Sequence, residues 1–319
     1  MTPCSWRGRL TALAALLAAT VAAAQQPALS CPPPPQPPSA EQVQAAQQRA
    51  RDRGFLWRVQ RDGRSAWLFG TIHLGRPMWL FHGPQLRQAL AASDTLALEI
   101  DVSDTAALMQ AAATAPAAGP LSASLRQRLE RLAVAACLPP QLMAQQHPVM
   151  QLTTLAVMAA RWDGLDAAYG QEFLLTAHAR AAHLPVVALE TPERQMQALI
   201  PPAGTPLEGL ISRGIDQLEQ GVARRVTARL VAAWERGDLA ELEDYERWCD
   251  CVASADERAL MRRLNDERNP AMAERIDALH RDGKRVFVAV GALHMTGPQG
   301  LPKLLRERGY SVERVAFSP

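Results

Sequence analysis

Two segments far apart in the chain share one pattern, and together they limit what it can fold into. The first is Ala66-Trp67-Leu68-Phe69-Gly70-Thr71-Ile72-His73-Leu74-Gly75. The second is Arg285-Val286-Phe287-Val288-Ala289-Val290-Gly291-Ala292-Leu293-His294-Met295-Thr296-Gly297. Each is a continuous apolar run, as expected of a strand covered on both faces, and each ends in Gly-x-x-His with a further glycine close behind. Glycine at a strand end lets the backbone turn sharply or come close to a ligand. Each histidine is therefore expected just past the carboxyl end of its strand, where open α/β sheets bind ligands. The recurrence of the pattern points to two imidazoles converging on one site.

The other strands read from the same logic. Phe55 to Gln60 and Ser65 to Phe69 flank the turn Arg61-Asp62-Gly63-Arg64 as a hairpin. Thr95 to Ile100 ends in Glu99-Ile100-Asp101, and Val312 to Phe317 is the last strand. Alanine and leucine are abundant and only 5% of residues are aromatic, which favours helix elsewhere. Ala40 to Arg53, Gly83 to Ala92, Asn265 to Arg281 and Gly300 to Arg308 are predicted helices, and Ser103 is expected to cap another. From about Leu121 to Leu264 the chain reads as helix, broken at Pro139-Pro140, His147-Pro148 and Pro201-Pro202. One strand interrupts it, Leu184 to Leu189, ending in Glu190-Thr191-Pro192. The expected class is α/β: a central β-sheet built from the N- and C-terminal parts of a domain at 54–317, with a large, mainly helical insertion at about 121–264 that covers the sheet or caps the site.

Residues 1–24 read as a signal peptide. Arg7 and Arg9 precede an apolar stretch from Leu10 to Ala23, too short to span a bilayer comfortably, and Val21-Ala22-Ala23-Ala24 offers the small residues needed for cleavage at Ala24–Gln25. An uncleaved anchor helix is the alternative. Ala-Leu-Ser-Cys at 28–31 is a poor lipid-attachment sequence. Residues 25–53 are a proline-rich linker followed by a helix. A periplasmic or secreted location is expected, with no transmembrane segment after the signal is removed. Cys4 leaves with the signal. Cys31, Cys137, Cys249 and Cys251 remain, an even number for an oxidising compartment. Disulfides are expected, with three pairings open. Metal binding by the Cys249-Asp250-Cys251 pair is the weaker alternative. The net charge is +2, and no run of Lys/Arg alternates with aromatics, so nucleic acid is not an expected partner.

The candidates for chemistry are His73, His294, Glu99, Asp101 and Glu190, each ending or following a predicted strand. Two histidines and a carboxylate, with one position open to water, suit catalytic Zn, Mn or Co. Such a cation lowers the pKa of its bound water and polarises a carbonyl, and a second carboxylate serves as base or support. Each has a plainer reading. A histidine after a strand is often only a hydrogen-bonded loop residue, Glu99 an ordinary strand-end carboxylate, Asp101 the start of a capping turn, and Glu190 part of a helix cap with Thr191. His82, His147, His178, His183 and His280 lack this context and are expected at the surface or in packing. There is no His-Glu-x-x-His, no Gly-x-Ser-x-Gly, no phosphate loop and no dinucleotide fingerprint.

The segments Phe69 to Gly75, Leu98-Glu99-Ile100-Asp101, Ala188-Leu189-Glu190-Thr191, Arg268-Asn269 and Val290 to Gly297 occur in the order seen in the TraB/GumN (PrgY) family. The chain resembles that family over about Gly54 to Val315. The family is related to the Tiki metalloproteases and more distantly to erythromycin esterase-like hydrolases. The resemblance implies a metal site of His73, His294 and Glu99, shaped by Gly70 and Gly291. Arg268, with Asn269 beside it, then either binds a substrate carboxylate or oxyanion, or forms a salt bridge. Glu190 or Asp101 supports as base or second carboxylate. The expected function is an exported metal-dependent hydrolase acting on peptides. The alternatives are a non-enzymatic protein that sequesters a peptide or small ligand, and a metal-free esterase-like hydrolase using a histidine as general base. Substrate, metal identity and oligomeric state are not readable from the sequence.

Overall fold

A computed structural model describes residues 31–317. The expected signal peptide and its expected cleavage site lie outside the described residues. Six strands form one sheet: β1 (Phe55–Arg61), β2 (Arg64–Thr71), β3 (Thr95–Leu98), β4 (Val186–Ala188), β5 (Val286–Gly291) and β6 (Ser311–Val315), in the order β4-β3-β5-β2-β1-β6. β4, β3, β5 and β2 run parallel, and β1 pairs antiparallel with β2 and β6. The β1–β2 turn has positive φ at both Asp62 (52°) and Gly63 (69°), the backbone of a two-residue hairpin turn whose twist matches its strands. The α/β class and the sheet shared between the two ends of the domain are as expected. β4 is the contribution of the insertion.

Register explains how distant residues meet. Phe69 is paired with Ala289, Ala289 with Leu98, and Leu98 with Ala188. These four residues form one row across the parallel strands. Whatever follows the row on each strand emerges at one rim: Gly70 to His73, Val290 to His294, Glu99, and Glu190. Apolar burial fixes the row, since Leu68, Phe69, Leu98, Val288 and Ala289 are all essentially inaccessible to solvent.

Several boundaries differ from the sequence reading, for local reasons. The first helix spans Ala40–Gln48 and stops short of Arg53, because the Asp52 carboxylate accepts from the Gln85 and Leu86 amides and caps the helix Pro84–Ala91. β3 ends at Leu98 rather than Ile100. Beyond it, Asp101 accepts from the amide and hydroxyl of Ser103, so the helix Thr105–Ala113 is capped by Asp104 instead of Ser103. β4 keeps only three residues, and β6 ends two residues before Phe317. The predicted helix from Asn265 to Arg281 begins at Asn269, because the preceding helix, Ala255–Leu264, ends in a separate turn over 265–268.

The insertion has its own core, with Leu121, Leu125, Leu129, Leu155, Ile211 and Ile215 in one cluster. It is tied to the sheet by Trp234, from the helix Val222–Arg236. This side chain is buried among Phe69 and Trp79, and its Nε1–H donates to Gly70 O at 2.7 Å. Cys31 is bonded to Cys137 and Cys249 to Cys251, which bears out the disulfide reading and closes the pairing left open by the sequence. Among the described residues, no helix is long and apolar enough to cross a membrane.

Candidate functional site

His294 sits in a short 3-10 turn, Ala292–Met295, directly after β5, and is almost fully buried. Its Nδ1 is 2.6 Å from Asn269 Oδ1. The Asn269 amide nitrogen donates to Gln299 O at 2.8 Å and faces His294 O, which fixes the orientation of the amide. Nδ1 therefore carries the proton, and Nε2 presents a lone pair. Burial pushes the imidazole down to about 4, so His294 stays neutral.

His73 follows β2 and is the exposed member, with 68% of its side chain open to solvent. Its Nδ1 is 3.0 Å from Glu172 Oε1, and the Thr71 hydroxyl donates to the same oxygen. Glu172 occupies the first turn of the helix Gln171–Ala181, where the helix dipole favours a carboxylate. That helix is held at the rim by the Gln171 amide, which donates to Ile72 O at 3.0 Å. The Glu172 carboxylate raises His73 to about 9, a charge effect that outweighs desolvation. Gly75 is required by contact. A Cβ there would lie 1.9 Å from Tyr169 O, because the loop before the Glu172 helix presses on it.

Glu99 is the first residue beyond β3. Its Oε1 accepts the Gly291 amide at 2.7 Å, while Oε2 accepts Gln195 Nε2 at 3.1 Å and Arg268 Nη2. Burial resists its ionisation. The charges of Arg268 and His73 and the Gly291 amide outweigh burial and hold the carboxyl well below the usual range. Glu190 lies beside it, its amide bonded to Glu99 O at 3.0 Å. Burial raises the Glu190 carboxyl, whose oxygens are both taken by Arg268. The helix cap that the sequence offered to Glu190 is made by Thr191 alone.

Arg268 reaches the site from the 265–268 turn. Its Nε and Nη2 serve Glu190, Nη2 also serves Glu99, and Nη1 donates to Leu264 O at 2.8 Å and stands 3.2 Å from His294 Nε2. A guanidinium has five N–H donors, and here all are engaged inside the protein. The salt-bridge alternative is seen: Arg268 is ion-paired with Glu99 and Glu190. Asp101 stands apart, its Oδ1 committed to Ser103.

His73, Glu99 and His294 meet at Gly291. A Cβ built there would lie 3.2 Å from Glu99 Oε1, 3.5 Å from His73 Nε2 and 3.6 Å from the His294 ring. The absence of a side chain thus leaves a cradle lined by two imidazoles and a carboxylate. Gly70 backs the same turn, where a Cβ would lie 3.3 Å from Ala292 Cα. Sequence reasoning missed Glu172, Thr71 and Gln195. The only local signal was a glycine followed by Gln171-Glu172 at a helix start, and nothing in it pointed a hundred residues back to His73. His82 and His280, set aside in the sequence, have packing partners: His82 Nε2 faces Gln171 Oε1 at 3.2 Å, and His280 Nε2 faces Arg61 O at 3.1 Å.

The donors fit a divalent cation in kind. Both histidines have Nδ1 held by an acceptor, leaving Nε2 as the ligating atom, the usual outer support of a metal-bound imidazole. Glu99 is ionised and accepts only neutral and cationic donors. Among the described residues no group of three or more His, Cys, Asp or Glu side chains is arranged so that it could hold a metal ion. Binding would require Arg268 Nη1 to yield its place at His294 Nε2.

A model of the TraB/PrgY/gumN family matches residues 55–314. The chain is also similar to two proteins named "Uncharacterized protein YbaP". One, from Shigella flexneri, is 27% identical over 252 residues, covering 76% of this chain and 88% of that protein. The other, from Escherichia coli (strain K12), is 27% identical over 248 residues, covering 75% and 87%. No solved structure matches.

Proposed function

This chain belongs to the TraB/PrgY/gumN family, and on that footing we propose that it is an exported, metal-dependent hydrolase acting on peptides. The observation that carries the reading is the cradle at Gly291, with Glu99 Oε1 and His73 Nε2 within 3.5 Å of one point and the His294 ring beside it. His73, His294 and Glu99 would hold the cation. When bound it supplies a water of lowered pKa and polarises a carbonyl. The remaining residues prepare the site. Asn269 and Glu172 keep the protons of the two imidazoles on Nδ1. Arg268 keeps Glu99 ionised and aimed, and Glu190 holds Arg268. The exposed edge of His73 is where a substrate carbonyl would approach. Peptide is the substrate class because of the resemblance to the Tiki metalloproteases, and export is supported by the two disulfides.

One contact favours a second reading. With Arg268 Nη1 at 3.2 Å from His294 Nε2, a cation already faces the buried lone pair, and Glu172 keeps His73 protonated at neutral pH. A hydrolase without metal would use charged His73 as a donor to the substrate oxyanion.

Metal content and peptide-library cleavage separate the two. The mature protein is chelated, reloaded with Mn²⁺, Co²⁺ or Zn²⁺, and compared with a His73→Ala/His294→Ala double variant. One metal per chain and metal-restored cleavage in the wild type alone is the expected result. Cleavage that survives chelation would move the metal-free reading to the front, and a folded wild type without metal or cleavage would overturn both.

A further inference from the structure

Away from the His73–Glu99–His294 cradle, a second cavity of about 500 Å³ opens where three separate stretches meet: the loop at 51–54, the end of the Val222–Arg236 helix with Gly237, and the exit of β6. Its walls carry four arginines, Arg51, Arg53, Arg236 and Arg314, against two carboxylates, Asp52 and Glu235. Both oxygens of Asp52 are spent on the Gln85 and Leu86 amides. Glu235 is the lining carboxylate paired with Arg51 and Arg53, and the charge of Asp52 also favours Arg53. Glu235 Oε1 is shared, 3.1 Å from Arg51 and 3.6 Å from Arg53.

Arg53 is the telling residue. It is 8% exposed, its Nε has no hydrogen-bond partner among the described residues, and its Nη1 goes to a backbone carbonyl, Arg51 O. Burying a guanidinium whose nearest carboxylate stands 3.6 Å away and whose acceptors are incomplete is costly. Desolvation and the Arg51 charge together outweigh Glu235 and depress its pKa. Arg314 likewise has a carbonyl, Gly237 O, and the Phe55 ring as its partners, while Arg236 is only loosely paired with Asp238 at 3.8 Å. The lining also includes the apolar residues Val315, Ala316 and Phe317.

We propose that this cavity is a binding site for a small organic oxyanion, a carboxylate or phosphate ester whose charged end meets Arg51, Arg53 and Arg314 and whose apolar end lies against Val315 and Phe317. Guanidinium groups match such oxygens in geometry and charge. The site is independent of the hydrolytic reading, since it shares no lining residue with the cradle.

The test is calorimetric titration of the full mature protein at constant ionic strength, with inorganic phosphate in one arm and 4-phenylbutyrate in the other. Saturable one-to-one binding of at least one probe is expected, weakened about tenfold or more in Arg51→Gln and Arg314→Gln. Both are surface arginines whose loss leaves the core intact. The His73→Ala/His294→Ala variant should bind as the wild type does. Phosphate alone identifies a phosphate ligand, phenylbutyrate alone a carboxylate with an apolar body, and both the shared oxyanion chemistry. No saturable binding of either probe overturns the proposal. So does binding that the arginine variants leave unchanged, or that the histidine variant abolishes.

Discussion

Arg268 Nη1 stands 3.2 Å from His294 Nε2, so the lone pair of the buried imidazole faces a guanidinium that two carboxylates also hold. This one side chain joins the exit of β5 to Glu99 after β3 and Glu190 after β4.

Replacing Arg268 by Met should therefore act on the fold before the chemistry. Glu99 and Glu190 would be left buried side by side without the guanidinium that holds both. Breaking a buried pair by removing one partner costs about 3–5 kcal/mol. The expected result is a large fall in the thermal midpoint. Glu190→Gln added to Arg268→Met should recover part of it, since one uncompensated charge is removed. Equal midpoints for the single variant and the wild type would contradict the role given to Arg268.

Gly291→Ala tests the cradle without disturbing the backbone. φ at Gly291 is −51°, ordinary for any residue, so the substitution carries no conformational strain. The new methyl would occupy the space between Glu99 Oε1 and His73 Nε2. Metal uptake and turnover should fall by about 100-fold, the scale of a 1 Å misplacement. The thermal midpoint should stay close to wild type. Gly70→Ala, whose methyl meets Ala292 and Met295, should instead lower stability.

Glu172→Gln isolates the exposed histidine. In chelated wild type, His73 titrates at about 9 because Glu172 is beside it. In the variant it should fall toward the ordinary value of about 6.5, as read from imidazole NMR shifts. The sign for stability follows. The folded pKa is raised, so the contribution is complete below about 6.5 and is lost as pH rises through about 9. The wild type should lose stability across that window, and Glu172→Gln should not.

The strands and their two histidines were legible because a buried parallel strand is written as a continuous apolar run, and Gly-x-x-His marks its exit. Glu99 and Glu190 were legible for the same reason, as the first polar residues after such runs. What the sequence withheld is tertiary. Glu172 belongs to a helix whose approach to His73 depends on packing of the insertion. Gln195 reaches Glu99 from a helix that, read alone, is only amphipathic. Arg268 was found by resemblance, yet its engagement by two carboxylates depends on a turn over 265–268 that reads as the start of the Asn265–Arg281 helix. Asp101, read beside Glu99, has its Oδ1 engaged by Ser103 two residues on, a local turn that the strand pattern did not show.

The link between the insertion and the sheet is concentrated in Trp234, and this makes a last prediction. Its indole donates to Gly70 O, in the first Gly-x-x-His segment, and packs on Phe69 and Trp79. Gly54 lies against the same ring. It has φ +80°, and a Cβ there would come within 2.7 Å of the indole. Trp234→Phe removes a buried donor and part of a large ring, so Gly70 O loses the indole hydrogen bond. Losing such a bond costs about 0.5–1.5 kcal/mol, with a cavity term added. Gly54→Ala attacks the same contact from the other side, through strain and overlap rather than loss. Both variants should lower the thermal midpoint. Combined, they should cost less than the sum of the two singles, because the smaller phenyl ring of Trp234→Phe leaves room for the new methyl. Strict additivity would mean that the two residues act on separate parts of the fold.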